Sequence, residues 1–86
     1  MPELRLTRRA KDHLNELPGA VREAVLESLL LIELEPEAMG KQLVGRMKAL
    51  WSARIGHYRV LYTIERSGVI VRGIQHRAVV YRRPPK

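Results

Sequence analysis

The stretch from residue 51 to residue 62, WSARIGHYRVLY, limits the possible folds more than any other part of this sequence. Apolar and polar residues alternate on both sides of Gly56-His57, which predicts two β-strands joined by a two-residue turn. In that register Arg54 lies directly opposite Arg59 on one face of the ribbon. Like charges that face each other cost about 0.2–1 kcal/mol. We therefore expect this arginine pair to bind an anion.

The rest of the sequence predicts a small domain built around this hairpin. The predicted elements are a strand at 3–7, helices at about 8–17 and 20–34, a loop at 36–45, and strands at about 50–55, 58–65 and 69–75. Eighty-six residues are enough for one core but hardly for a second. We expect an α+β fold in which a small antiparallel sheet of about four strands has two N-terminal helices packed on one face, as a single domain over residues 1–86.

The hairpin register also predicts which side chains share a face of the sheet. The face expected to meet the helices carries Trp51, Ala53, Ile55, Tyr58, Val60, Tyr62 and Ile64. The opposite, open face carries Ser52, Arg54, Arg59, Leu61 and Thr63. For the last strand the sequence does not decide which residues face the core, because strict alternation puts its apolar residues on both sides of the sheet. The two sets are Val69 and Val71 on one side, and Ile70, Ile74 and His76 on the other.

The second predicted helix has a wide apolar arc. A core stripe with helical spacing runs from Val21 to Ile32, and Leu30 and Leu31 lie beside it. The wider arc is either a broad buried face or an edge that binds a partner protein.

The composition argues against several kinds of site. There is no cysteine, which excludes a disulfide framework and a thiolate metal site and is compatible with a reducing cytosol. The histidines His13, His57 and His76 fall in different predicted elements and lack the spacing of a metal-ligand motif. The apolar run Leu29–Ile32 is far too short to span a membrane. We expect a cytoplasmic protein with no metal, cofactor or membrane partner.

The positive charge of the chain is concentrated in its second half. The formal net charge is +7. Residues 1–40 hold five Lys or Arg against eight Asp or Glu, whereas residues 41–86 hold eleven against one. Such an asymmetry points to a polyanionic partner such as nucleic acid, or to an acidic protein that masks the same surface. The ordinary alternative is a basic, solvated face without a specific partner.

The open face is expected to combine the residue types that RNA cleavage needs. Its candidates are Arg54 and Arg59, His76 and Arg77 from the end of the last strand, and Tyr81. Attack by the RNA's own 2′-hydroxyl needs a proton acceptor, a proton donor for the leaving 5′-oxygen and fixed positive charge around a phosphorane-like transition state. Arginine supplies the charge, and His76 and Tyr81 can exchange protons. A lone histidine at a strand end ordinarily favours a structural hydrogen bond. Candidates for binding the RNA backbone are Lys41, Arg46, Lys48, Arg82 and Arg83.

The segments GHYRVLY and HRAVVY resemble the RelE/ParE superfamily of toxins from bacterial and archaeal toxin–antitoxin systems, and the order of elements is similar over nearly the whole chain. The resemblance implies an endoribonuclease that enters the ribosomal A site and cuts mRNA by 2′-hydroxyl attack without a metal ion. By match to the family motifs, Arg59 corresponds to the phosphate-stabilising arginine, Arg54 to a basic residue of the preceding strand and Tyr81 to the C-terminal tyrosine. His76 and Arg77 fall in the family's basic segment, and which of the two has the key role stays open.

The same resemblance implies binding partners, and it is also compatible with functions other than mRNA cleavage. The implied partners are a cognate RelB-like antitoxin whose acidic or amphipathic segment covers the basic face, the ribosome with its mRNA, and operator DNA bound by a toxin–antitoxin hetero-oligomer. The chain departs from the family pattern at Val44, where some relatives carry a functional arginine, so that Arg46 or Lys48 would have to supply this charge. The alternatives are a ParE-like inhibitor of DNA gyrase and a non-catalytic RNA-binding relative.

Overall fold

The fold packs two helices against one face of a mixed β-sheet. A computed structural model describes residues 3–43 and 49–76. Its elements are β1 (Glu3–Leu6), α1 (Arg8–Asn15), α2 (Gly19–Leu34), α3 (Pro36–Met39), β2 (Lys41–Gln42), β3 (Trp51–Ile55), β4 (Tyr58–Glu65) and β5 (Gly68–His76). The strands lie in the order β1-β5-β4-β3-β2. The predicted α+β class with two N-terminal helices on one face is confirmed.

The sheet differs from the predicted one in two respects. Within the described part of the chain it has five strands, because Lys41–Gln42 in the predicted loop pairs antiparallel with β3. The same predicted loop contains α3, which begins at Pro36, where the fixed φ of proline suits the first helical turn. In addition, β1 pairs with β5 in parallel rather than antiparallel fashion. The segment 36–42 is therefore a wall beside β3 and not an irregular loop.

Helix α1 covers the edge of β5 that β1 leaves open. The helix begins after Thr7, whose hydroxyl accepts a hydrogen bond from the backbone N–H of Ala10 (3.1 Å). β1 pairs with β5 only as far as Val71. Further along this edge the backbone N–H of Ile74 donates to Nδ1 of His13 (3.0 Å). Part of the exposed edge of the sheet is thus satisfied by a helix side chain.

The core lies between the helices and the face of the hairpin that the register predicts. Its largest fully buried side chains are Tyr62, Ile32, Val25, Val60, Val69 and Val71. The ring of Trp51 stacks on that of Tyr62 with the centroids 6.4 Å apart. The seven residues of the predicted core face are all buried or half-buried, so this prediction is confirmed.

A β-bulge determines which residues of β5 point into the core. Leu61 pairs with Gly73 and Tyr62 pairs with Val71, which leaves Arg72 as an extra residue in the ladder. Residues on both sides of the bulge consequently point into the core, since Val71 is 0% exposed and Ile74 is 3% exposed. Strict alternation could not reveal this arrangement, because one inserted residue reverses the faces of everything that follows it.

Helix α2 exposes four leucines to solvent. The exposed fractions are 44% for Leu26, 63% for Leu30, 50% for Leu31 and 71% for Leu34. The interpretation of Leu30 and Leu31 as part of a broad buried face is therefore wrong. Leu26, Leu30 and Leu34 recur every fourth residue and form one ridge, called the leucine ridge below. No helix among the described residues is long and apolar enough to cross a membrane. An exposed apolar ridge of this kind is typical of a surface that binds another protein.

Candidate functional site

The hairpin of β3 and β4 places two arginines side by side on the open face. Arg54 pairs with Arg59 in the antiparallel register, as the two-residue turn predicts. The turn begins at Gly56, whose φ of 60° is the sign that a type II′ turn requires at its first central residue. Arg54 is exposed and Arg59 is half-buried. Because guanidinium groups stay charged at physiological pH, the pair is a fixed site of positive charge.

The arginine pair lines a groove between the sheet and the segment around β2. The groove has a volume of about 640 Å³. Its described polar lining consists of Lys41, Gln42, Ser52, Arg54 and Arg59. Lys41 lies opposite Ser52 in the ladder and therefore shares the face of the arginine pair. Among the described residues that line the groove, three are cations and none is a carboxylate. Such a lining suits a phosphate group.

The wall of the groove is held against the sheet through Tyr62. This side chain is fully buried, and its hydroxyl donates to the backbone carbonyl of Pro36 (2.6 Å). Gly40 approaches so closely that an added Cβ would collide with the Tyr62 hydroxyl and lie 2.8 Å from the carbonyl oxygen of Ser52. Burial raises the pKa of Tyr62 above its usual value of 10.0. The position of Lys41 in the groove thus depends on a buried, neutral phenol.

Stability is expected to fall at alkaline pH through Tyr62. Its pKa is higher in the folded than in the unfolded state, so its contribution is complete below pH 10.0 and is lost as the pH rises through the folded-state pKa. Tyr62→Phe should lower the free energy of unfolding by about 0.5–1.5 kcal/mol at neutral pH, because the hydrogen bond to Pro36 is lost. It should also flatten the alkaline decline. Urea unfolding as a function of pH measures both effects, and an equally steep decline in the two proteins would contradict this role.

The structure places His76 on the opposite face of the sheet from the arginine pair, so its predicted place in the open-face site is wrong. His76 pairs with Tyr58, which packs against the core, and its ring contacts that of Tyr58 nearly perpendicularly at 5.1 Å. The residue opposite Arg59 is Gln75. The physical reason is the bulge at Arg72, which reverses the alternation of the strand.

Several candidates from the sequence lie outside the described residues. They are Arg46, Lys48, Arg77, Tyr81, Arg82 and Arg83, together with Val44 at the departure from the family pattern. Two glutamines near the arginine pair were missed: Gln42 falls in the predicted loop, and Gln75 is assigned to its face only once the bulge is known. Within residues 3–43 and 49–76, no group of three or more His, Cys, Asp or Glu side chains could hold a metal ion.

On the open face, the charge at the hairpin end of β4 differs from the charge at its far end. Near the hairpin turn it carries the arginine pair, whereas at the far end Arg72 lies 3.6 Å from the carboxylate of Glu65. Arg72 also donates through Nε to the hydroxyl of Thr63 (3.3 Å). Both partners of this ion pair are nearly half exposed, so the pair contributes little to stability. A polyanion is therefore attracted to the hairpin end of the sheet.

Comparison with known proteins identifies the family. Residues 4–81 match the model described as the ParE toxin of the type II toxin–antitoxin system parDE. The chain is 37% identical over 83 residues to Toxin RelG of Mycobacterium tuberculosis, covering 93% of this chain and 95% of that relative. The chain therefore belongs to the ParE toxin family of type II toxin–antitoxin systems, within the RelE/ParE superfamily that GHYRVLY and HRAVVY indicate.

Solved structures of RelE toxins share the fold. A chain of the toxin–antitoxin complex RelBE2 from Mycobacterium tuberculosis is 34% identical with a TM-score of 0.80, covering 86% of this chain and 95% of that chain. The isolated RelE toxin of E. coli is 23% identical with a TM-score of 0.75, covering 88% and 84%. A chain of the RelE-RelB complex from Pyrococcus horikoshii is 24% identical with a TM-score of 0.69, covering 88% and 94%. The last two likenesses, at this identity, concern the fold alone.

Proposed function

We propose that this toxin is an endoribonuclease that cleaves ribosome-bound mRNA and so inhibits translation. The observation that carries the proposal is the groove, in which Lys41, Arg54 and Arg59 share one face and the described lining has no carboxylate. A groove that holds three cations on a rigid sheet suits the backbone of a single RNA strand better than a neutral ligand. Translation as the target process is supported by the 37% identity to Toxin RelG and by the RelE-type motifs GHYRVLY and HRAVVY.

The proposed reaction is attack by the RNA's own 2′-hydroxyl. The 2′-oxygen loses its proton and bonds to the adjacent phosphorus, the bond from phosphorus to the 5′-oxygen breaks, and that oxygen takes up a proton. The product strand then ends in a 2′,3′-cyclic phosphate. Negative charge increases on the phosphoryl oxygens in the transition state, and Arg54 and Arg59 are fixed donors on one face of the hairpin. Their contribution is a preorganised positive field that needs no rearrangement during the reaction.

The proton transfers are proposed for residues outside the described ranges. Tyr81 and Arg77 are assigned on the family motif HRAVVY, and both roles remain predictions. His76 is left out of this chemistry because it lies on the other face of the sheet. The residues proposed to bind the RNA backbone are Lys41, Arg46, Lys48, Arg82 and Arg83.

The test is to add the purified protein to a translation extract and to map the 5′ ends of the mRNA. New ends at the position of the ribosomal A site, absent when the ribosomes are omitted, are the expected result. RNA binding that weakens with salt and yields no product would instead identify a non-catalytic relative. Intact mRNA in the extract would refute the endoribonuclease.

A second candidate function, inhibition of DNA gyrase, is favoured by the position of His76. With this imidazole on the other face, the described lining of the groove offers charge but no histidine, tyrosine or carboxylate. A toxin that binds gyrase needs no acid–base groups. Loss of supercoiling activity with mRNA left whole would decide for this function.

We also propose that the toxin binds a cognate RelB-like antitoxin. The relatives from Mycobacterium tuberculosis and Pyrococcus horikoshii were solved as toxin–antitoxin complexes. The leucine ridge of α2 supplies an exposed apolar surface for such a partner, and an acidic segment would suit the basic groove. Leu30→Ser should weaken the complex by about 5-fold or more without unfolding the toxin. Isothermal titration of the two purified proteins measures this affinity, with Ala24→Ser, exposed on the same helix, as the control.

A further inference from the structure

All three histidines of the chain gather at one end of the sheet. His76, at the end of β5, has its ring centroid 6.1 Å from that of His57 in the hairpin turn, with the two rings tilted by only 22°. The ring of Tyr58 meets His76 nearly perpendicularly at 5.1 Å. His13 approaches from α1 and accepts the hydrogen bond of the Ile74 backbone. Aromatic and imidazole rings are therefore concentrated where the sheet ends.

A cleft opens beside these rings on the helix side of the sheet. It has a volume of about 290 Å³, and its lining includes His13, Glu16, Leu17, Tyr58 and His76. Because Nδ1 of His13 accepts from Ile74, its neutral ring carries the proton on Nε2 and can donate there. Glu16 adds a hydrogen-bond acceptor. The cleft thus combines flat rings with one donor and one acceptor.

The cleft and the arginine groove share strand β4. Along β4, Tyr58 of the cleft is followed directly by Arg59 of the groove. Along β5, Gln75 lies opposite Arg59 and is followed directly by His76. Successive residues of a strand point to opposite faces, so the two sites lie back to back across the last rows of the sheet. A flexible polymer that crosses this short edge reaches both.

We infer that the cleft binds an unpaired nucleobase of the RNA strand whose phosphate lies at Arg54 and Arg59. The inference rests on the proposed function, since it takes RNA as the ligand. Single-stranded RNA is recognised by stacking its bases on flat side chains, which include histidine. His76, held by Tyr58 and His57, supplies such a surface, while His13 and Glu16 can contact the edge of the base. His76 is thus a binding residue and takes no part in proton transfer.

The test compares two oligomers that carry equal charge. Fluorescence anisotropy is measured with a short 2′-O-methyl oligoadenylate, which cannot be cleaved, and with the same sugar–phosphate chain lacking its bases. The intact protein should bind the oligoadenylate more tightly than the abasic chain. His76→Lys has a positive charge but no ring, and should weaken oligoadenylate binding by about 5-fold to 150-fold, the range for one lost stacked base. His76→Phe keeps a ring without charge and should retain the preference for bases.

The two variants separate stacking from charge. Equal affinities of the intact protein for the two oligomers, no binding of either, or equal losses in His76→Phe and His76→Lys would overturn the cleft assignment. None of these outcomes bears on cleavage, which is read from mRNA ends in the translation extract. Conversely, a protein that prefers the oligoadenylate but leaves mRNA whole would refute the proposed nuclease and leave the base site standing.

Discussion

Replacing Arg59 with alanine is expected to reduce RNA cleavage by about 10²–10³-fold and to leave the fold intact. The loss follows from removing one preorganised donor from the charge that faces the phosphate. Stability should not suffer from the lost charge, because Arg59 lies directly opposite Arg54 and the change removes a repulsion worth about 0.2–1 kcal/mol. The cleavage rate of Arg59→Lys should lie between those of the unchanged protein and of Arg59→Ala, since lysine keeps the charge without the two-pronged geometry of arginine. The rate of appearance of new mRNA ends in a translation extract is the measurement.

Arg66→Ala is the matched control for this prediction. Arg66 is exposed in the turn between β4 and β5, at the opposite end of β4 from the hairpin turn. The substitution Arg66→Ala removes one arginine charge, as Arg59→Ala does, but from a turn outside the groove. An equal loss of activity in both variants would reduce the role of Arg59 to general electrostatics, and normal cleavage by Arg59→Ala would remove the arginine pair from the reaction altogether.

Gly40→Ala is expected to destabilise the protein by about 1–3 kcal/mol, although it adds only one methyl group. The backbone of Gly40 is extended, with φ of −140° and ψ of −173°, so alanine can adopt it without strain. The cost comes from contact, because the new Cβ would meet the Tyr62 hydroxyl and the backbone oxygen of Ser52. Relief of that contact would displace the wall that carries Lys41, so cleavage should decline together with stability. Urea unfolding and the mRNA assay measure the two effects.

A second glycine provides the comparison. Gly19 begins α2 and has open space around the position of an added Cβ, so Gly19→Ala should be neutral or should stabilise by about 0.4–1 kcal/mol. In a chain that already carries Tyr62→Phe, the hydroxyl that collides is absent, and Gly40→Ala should then cost less. A Gly40→Ala protein as stable as Gly19→Ala would show that the groove wall does not depend on this close approach.

The sequence was sufficient for the hairpin and for the arginine pair, because a two-residue turn leaves one register and the register determines both faces. The predicted start of the first helix at about residue 8 and the predicted end of the second at about residue 34 agree with α1 and α2, and both follow from local chemistry: the Thr7 hydroxyl is a side-chain acceptor, and a proline follows Glu35. These elements depend on residues close in sequence. Nothing distant is needed to predict them.

What the sequence could not supply depends on contacts between distant residues. The two-residue strand β2 exists because β3 offers it a free edge, and no local pattern in Lys41–Gln42 indicates a strand. The sequence could not decide whether Leu30 is buried or exposed, because an apolar arc does not say how much of it the sheet can cover. His76 was assigned to the wrong face because the bulge at Arg72 is defined by pairing with β4 and not by composition.

The bulge at Arg72 also makes the faces at the end of β5 depend on how one residue is accommodated in the ladder. Without Arg72, Val71 and Gly73 would be adjacent, and the existing pairs with Tyr62 and Leu61 would form a regular ladder. Conversely, a chain that kept the extra residue but paired regularly would exchange the faces of everything up to His76. Deletion of Arg72 would therefore leave His76 on the helix side, whereas regular pairing with Arg72 retained would transfer its imidazole to the face of the arginine pair while β4 stays unchanged. Two chains can share the letters of this strand and still present different side chains beside the arginine pair.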